Sequence, residues 1–205
     1  MAAGVVSALA RLDAALGLGL PASADDRLRR FEVLLRERAL PYGLIAETDS
    51  GRIWERHVLD CLRAAAVVEP TDRAAYDLGS GAGLPGVVVA IARPGLEVLL
   101  VESRRRRAAF LELAAEQLEL PNVTVVGRRV EDLGDRVDLC FARALAPLQR
   151  SWAMARRLLR PGGRLVYFAG RGSRAPERLL GAVSIRLLET SVLERSGPLV
   201  IMTQQ

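Results

Sequence analysis

Residues 77–86 read DLGSGAGLPG. Four glycines stand within ten residues, behind Asp77 and with Pro85 among them. The flanks are apolar: AAYDL (74–78) comes before the loop and VVVAIAR (87–93) after it. The first flank reads as a short strand and the second as a helix closed by Pro94-Gly95. Glycine gives up backbone order, so a cluster of it needs a reason. Between a strand and a helix, the reason is a tight turn whose backbone can approach a ligand. In an open parallel sheet, ligands sit beyond the carboxyl ends of the strands, where this loop lies. Pro85 suits the first turn of the helix that follows.

Outward from the loop, strands and helices alternate. LEVLLVE (96–102) reads as a buried strand, and RAAFLELAAEQLEL (107–120) as a helix with Phe110, Leu113 and Gln117 on related faces. VTVV (123–126) and RVDLCFARAL (136–145) carry strands. LQRSWAMARRLLR (148–160) is a helix with Trp152, Ala155, Leu158 and Leu159 inward, and Pro161-Gly162-Gly163 turns into the strand RLVYFA (164–169). VSIRLLETSVL (183–193) and PLVIMTQ (198–204) read as two last strands in a hairpin-like pair. This alternation predicts an α/β fold, a parallel sheet covered on both faces. Residues 1–70 read as a helical extension, with Leu28, Phe31, Leu34 and Leu35, then Trp54, Val58, Cys61, Leu62 and Ala65, at helical spacing. Residues 71–205 are the expected α/β domain, joined at Glu69-Pro70-Thr71-Asp72.

The chain has 205 residues, half of them hydrophobic, which fits a packed globular protein. No apolar run approaches the ~20 residues that cross a bilayer. The first residues, apolar with Arg11 and Asp13 among them, are expected to form an amphipathic helix rather than a leader. Cys61 and Cys140 lie in separate apolar segments, which suggests reduced, buried thiols in a cytoplasmic protein. One histidine and two distant cysteines build no metal site. The net charge is +5, and all 29 basic residues are arginine. A basic surface attracts phosphate-rich partners, but the complete absence of lysine looks like a codon bias. The run Arg104–Arg107 is read as a solvated face, with a phosphate partner as the alternative.

The loop also satisfies G-x-G-x-x-G at Gly81, Gly83 and Gly86, and Glu102 ends the next strand where a carboxylate can accept from ribose hydroxyls. That much fits a nicotinamide dinucleotide or S-adenosylmethionine. Asp77, two residues before the first glycine, favours a ligand with an amino group and a sulfonium over a pyrophosphate. Val130 and Glu131, in the loop after the third strand, are placed to read an adenine edge. A dehydrogenase would need a Tyr-Lys or His-Asp arrangement, and the first is impossible without lysine.

DLGSGAGLPGVVVAIARPGLEVLLVES (77–103), RRVEDL (128–133), FARALAPL (141–148) and LLRPGGRL (158–165) together resemble the bacterial small-subunit ribosomal RNA guanine-N7 methyltransferases, also called the glucose-inhibited division protein B family. RHVLDC (56–61) resembles the family's helix motif, with Cys61 in place of serine. The resemblance implies a class I, Rossmann-like methyltransferase that uses S-adenosylmethionine. It would methylate N7 of a guanine in small-subunit (16S) ribosomal RNA, acting on that RNA or the ribosomal subunit in the cytoplasm; the chain itself is expected to be a monomer. Cofactor contacts are then expected from Asp77, Gly79, Gly81, Gly83, Leu84, Glu102, Ser103, Val130, Glu131 and Arg143, and Arg143 is the expected catalytic residue. Arg56, His57, Arg171 and Arg174 are the expected RNA contacts. His57 reads equally as a buried histidine that locks the helical region to the sheet, and Arg143 as a possible ion pair at a strand end. ERALPYGLIAE (37–47) departs from the family, which often has an NLT segment there. YFAGRG (167–172) lacks the family's lysine, leaving Arg171 one residue late. Those departures touch RNA binding and keep a second alternative open, a non-catalytic relative that binds the ribosome.

Overall fold

A computed structural model describes residues 7–193 and 195–205. Seven strands form one sheet: β1 (Ala74–Leu78), β2 (Glu97–Val101), β3 (Val123–Val126), β4 (Val137–Arg143), β5 (Leu159–Phe168), β6 (Ala182–Leu188) and β7 (Leu199–Gln204). Their order is β3-β2-β1-β4-β5-β7-β6. β1 to β5 are mutually parallel, while β7 runs antiparallel between β5 and β6. The chain leaves β1 in one direction to reach β2 and β3, then returns to β1's other side with β4. That reversal opens a crevice at the carboxyl ends of β1 and β4, the place where doubly wound sheets hold ligands.

Helices cover both faces. One face carries α1 (Ala8–Leu16), α2 (Ala24–Leu34), a helical run through residues 54–67, α4 (Gly86–Ala92) and α5 (Arg105–Gln117). In that run, π-helical Trp54–Leu59 leads into α3 (Asp60–Leu62) and then 3-10 turns at Arg63–Val67. Their apolar sides join one core from Leu9 through Phe31, Val87 and Leu111 to Ile201. The other face is closed by α6 (Leu148–Leu158), whose Trp152, Ala155 and Leu158 pack on Tyr76, Cys140 and Leu165. Trp152 anchors the approach to β6 by donating to the Leu180 carbonyl at 2.9 Å.

Local differences from the sequence reading have simple causes. α5 begins at Arg105, and Glu102 just before it accepts from the Arg104 N–H at 2.9 Å. It buries Phe110, Leu111, Ala114 and Leu118, whereas Gln117 faces solvent. Pro161-Gly162-Gly163 lies inside β5 rather than before it, as an irregularity between Val137–Leu159 and Leu139–Arg164 pairing. The last strand pair is antiparallel as expected, but β6 stops at Leu188. The expected first helix spans Ala8–Leu16, and the residues before Ser7 lie outside the described part. Cys61 and Cys140 are free and buried, and burial pushes the Cys61 thiol up to about 12. Among the described residues, no helix is long and apolar enough to cross a membrane.

Candidate functional site

A cavity of about 520 Å³ opens at the carboxyl ends of β1 to β4, within the range of small-molecule sites. Each strand brings a piece of its wall. Gly79 follows β1, Glu102 and Ser103 follow β2, and Val130 and Glu131 come from the loop after β3. Ala144 to Pro147 follow β4, and Arg150 and Met154 project from α6. Five of the residues singled out in the sequence, Gly79, Glu102, Ser103, Val130 and Glu131, therefore share one cavity. Asp77, Gly81, Gly83, Leu84 and Arg143 do not line it.

The glycine loop shows why these others stand behind the wall. Asp77 is 1% exposed, and its Oδ2 accepts from the Gly86 N–H at 3.0 Å. A Cβ on Gly86 would lie 2.6 Å from that oxygen, so only glycine lets helix α4 start so close to β1. Ser80 Oγ donates back to the Asp77 carbonyl at 2.9 Å. Asp77 is thus a brace that fixes the loop from beneath. Burial raises its carboxyl to about 7, although the Gly86 N–H works against the rise. Gly79 has φ +73°, and a Cβ there would meet Leu145 Cδ1 at 2.7 Å. Gly83 packs against Val87, and Leu84 belongs to the apolar core.

Glu102 is the buried acid of the cavity. It is 6% exposed. One oxygen accepts from the Arg104 N–H at 2.9 Å and the other from the Gly81 N–H at 3.2 Å, with Arg107 at 3.8 Å. The glycine loop and the start of α5 are pinned to one carboxylate. Each oxygen keeps a second lone pair for a ligand. Gly81 therefore contributes through its N–H to Glu102 rather than through the cavity wall.

Arg143 ends β4 but turns towards the helical run. Its Nη2 lies 2.8 Å from His57 Nδ1 and donates to the Arg56 carbonyl at 3.2 Å, while Nε stands 4.0 Å from Asp60. Since a guanidinium only donates, His57 Nδ1 is the acceptor and the ring's proton sits on Nε2. That atom lies 3.1 Å from Asp49 Oδ2 but off the line of a hydrogen bond, so the contact is electrostatic. Burial foremost, then the Arg143 charge, lowers His57 to about 4. Asp49, 7% exposed, also holds Arg52 and Arg56. The structure thus joins Arg56, His57 and Arg143 in one network between the π-helical turn and the end of β4. It keeps Arg171 and Arg174 apart from that network, exposed in the segment after β5.

The sequence reading missed most of the basic wall. Arg104, Arg107, Arg128, Arg129 and Arg150 all face the cavity. The runs at 104–107 and 128–129 were visible, but their convergence needs the parallel pairing of β2 with β3. Ala144 was also missed. It has φ +54°, rare for a residue with a Cβ, and it lines the cavity where β4 turns into the next loop. Among the described residues, no three His, Cys, Asp or Glu side chains converge as metal ligands would.

Comparison with known proteins bears on this arrangement. The family described as rRNA small subunit methyltransferase G matches residues 25–182. The ribosomal RNA small subunit methyltransferase G of Acidothermus cellulolyticus is 43% identical over 141 residues, which cover 69% of this chain and 63% of that protein. That of Paracoccus denitrificans is 41% identical over 152 residues, 73% of this chain and 78% of that one. The chain spans 60 to 64% of the length of the first curated relatives it matches. In structure, it resembles an MtNAS variant solved in complex with S-adenosylmethionine, with a TM-score of 0.55, 16% identity and coverage of 88% of this chain and 73% of that one. At such identity the likeness speaks to the fold alone, which is the Rossmann-like class I fold of methyltransferases. Motif order, sheet topology and a match running from α2 to the start of β6 agree, and the chain belongs to the rRNA small subunit methyltransferase G family.

Proposed function

We propose that this protein transfers a methyl group from S-adenosylmethionine to N7 of a guanine in small-subunit ribosomal RNA, as a cytoplasmic monomer. The observation that carries the reading is the cavity itself. In a chain of this family, a glycine loop, the Glu102 carboxylate and the Val130–Glu131 turn meet around one space beyond the parallel strands. The residues fit the donor. Gly79 leaves the floor clear of side chain, Glu102 offers lone pairs to ribose hydroxyls, and Val130, Leu145 and Met154 give apolar walls for an adenine. The same loop satisfies a dinucleotide pattern, but family membership favours the methyl donor over nicotinamide.

When bound, the donor supplies an electrophilic methyl on a sulfonium. Guanine N7 has an in-plane lone pair and no proton, so the protein needs no general base. Its task is alignment and exclusion of water. Arg143 is the group we assign to the base. A guanidinium donates to guanine O6, and it must leave N7 free. In this reading, Arg143 exchanges its hold on His57 and the Arg56 carbonyl for substrate or cofactor. Asp77 and Gly86 keep the loop in place while that happens. Arg171 and Arg174 would contribute phosphate contacts. Two measurements test the proposal. Calorimetry should show S-adenosylmethionine and its demethylated product binding, and no NAD binding. Mass mapping of small-subunit RNA, with and without the gene, should show one methylguanine lost. Tight NAD binding without S-adenosylmethionine binding would sink the reading.

A further inference from the structure

The cavity is more cationic than its proposed ligand can use. Five arginines against the glutamates at 102 and 131 leave three positive charges uncompensated around it. Of those arginines, only Arg107 has an acid within salt-bridge distance among the described residues, Glu102 at 3.8 Å. Arg104, Arg128, Arg129 and Arg150 are exposed and have none. S-adenosylmethionine carries two positive groups and one carboxylate, a net of one positive charge, and its product carries none. An arginine rim therefore disfavours the donor relative to the product, unless anions cover the rim. The expected RNA contacts do not reach this rim. Arg56 is matched to Asp49, His57 is buried, and Arg171 and Arg174 are exposed but do not line the cavity.

We infer that the rim formed by Arg104, Arg128, Arg129 and Arg150 is the seat of RNA phosphates. By neutralising the rim, the bound RNA raises the cavity's affinity for the cationic donor. The inference rests on the methyltransferase reading for the identity of the ligands. The side chains come from the start of α5, the loop after β3 and the start of α6, so they encircle the mouth on three sides. Guanidinium forks on three sides of an opening suit a backbone that crosses it, since each can take a phosphate bidentately. RNA held there would lie over the cavity rather than beside it, with its bases presented towards the donor.

The test compares wild type with a triple variant, Arg128→Ser, Arg129→Ser and Arg150→Ser. These side chains are exposed, and a melting curve verifies that the variant is folded. RNA affinity is measured with a small-subunit RNA fragment against salt. Losing three phosphate contacts should weaken binding at least tenfold and reduce the salt slope by about two. Donor and product affinities are measured by calorimetry, without RNA and with it. In free wild type the product should bind about five- to tenfold more tightly than the donor at low salt. RNA, high salt or the triple variant should each narrow that ratio towards one. Unchanged RNA affinity and slope in the triple variant would overturn the surface. A donor-to-product ratio indifferent to salt and to RNA would overturn the coupling. Failure of both donor and product to bind wild type would refute the methyltransferase reading instead, and the RNA titration then decides the surface by itself.

Discussion

Arg63 and Arg128 belong to the same arginine-only chain, yet they live under opposite conditions. Arg63 is 2% exposed in the helical run. Its guanidinium is held by the Asp60 side chain and carbonyl and donates to the Gly197 carbonyl at 2.9 Å. Arg128 stands exposed at the cavity mouth, with no acid in reach among the described residues. Pairing also differs between the two regions, although the other paired arginines of the helical segment are exposed. In the helical segment, Arg29 and Arg36 meet Glu32, Arg30 meets Asp26, and Arg52 and Arg56 meet Asp49. Of the five arginines that face the cavity, four meet none among the described residues. A buried charge must be matched or the fold pays in desolvation. An exposed one is tolerated unmatched, and stays available for a ligand. Burial together with matching thus separates Arg63, which holds the structure, from the rim arginines that stay free to bind.

The largest expected effect is therefore structural. Arg63→Ala should cost about 3–5 kcal/mol, because it strands Asp60 and the Gly197 carbonyl in a nearly dry site. Denaturant unfolding reads this directly, and a loss under 1 kcal/mol would break the distinction drawn between the two regions.

Arg143 sits on the border between them: it is paired with His57 and the Arg56 carbonyl, and it ends β4, whose following loop lines the cavity. Arg143→Ala should slow methyl transfer roughly a hundredfold or more, on the order of 2–4 kcal/mol in barrier. Arg143→Lys should not rescue it, because lysine lacks the planar fork. Near wild-type methylation by a folded variant would place Arg143 with the structural arginines.

His57 sharpens the comparison through pH. Its folded pKa of about 4 lies below the ordinary 6.5. As pH falls, the unfolded chain takes up the proton first, so stability drops between about 6.5 and 4 and is unaffected above that window. Asp77, raised to about 7, drives stability the other way over much of the same range. The readout is hence the difference between wild type and His57→Gln, in which Asp77 cancels. That difference should shrink by about 1–2 kcal/mol on acidification, after allowance for screening. A flat difference would mean that His57 titrates in the fold as it does in an open chain.

The smallest effect is expected at the rim. Arg128→Ala should change stability by no more than about 0.5 kcal/mol, as for exposed substitutions with no partner. A larger loss in a melting curve would show a structural role and weaken its assignment to RNA.

Much of the site was legible because the chain writes it locally. DLGSGAGLPG requires glycines at Gly79 and Gly83 for positive φ, and at Gly86 for the close approach of α4 to Asp77. Glu102 follows from its place at the end of a buried strand. Val130 and Glu131 follow from the next strand's loop. The reading of Arg104–Arg107 as a solvated face was harder. A run of like charge looks the same whether it faces bulk water or a ligand site, and only the neighbour across the sheet tells which.

By itself, the sequence determined the order of strands and helices, the glycine turn and the family, since each rests on residues adjacent in the chain. Tertiary structure alone decided that Arg143 reaches His57, 86 residues away. It also decided that Asp49 collects Arg52, Arg56 and His57, and that arginines from three separate elements ring one cavity. The physical reason is that pairing depends on distance and burial. Neither is a property of a residue's type or its neighbours in sequence, and in a chain whose every cation is arginine, composition could not tell a matched charge from a free one.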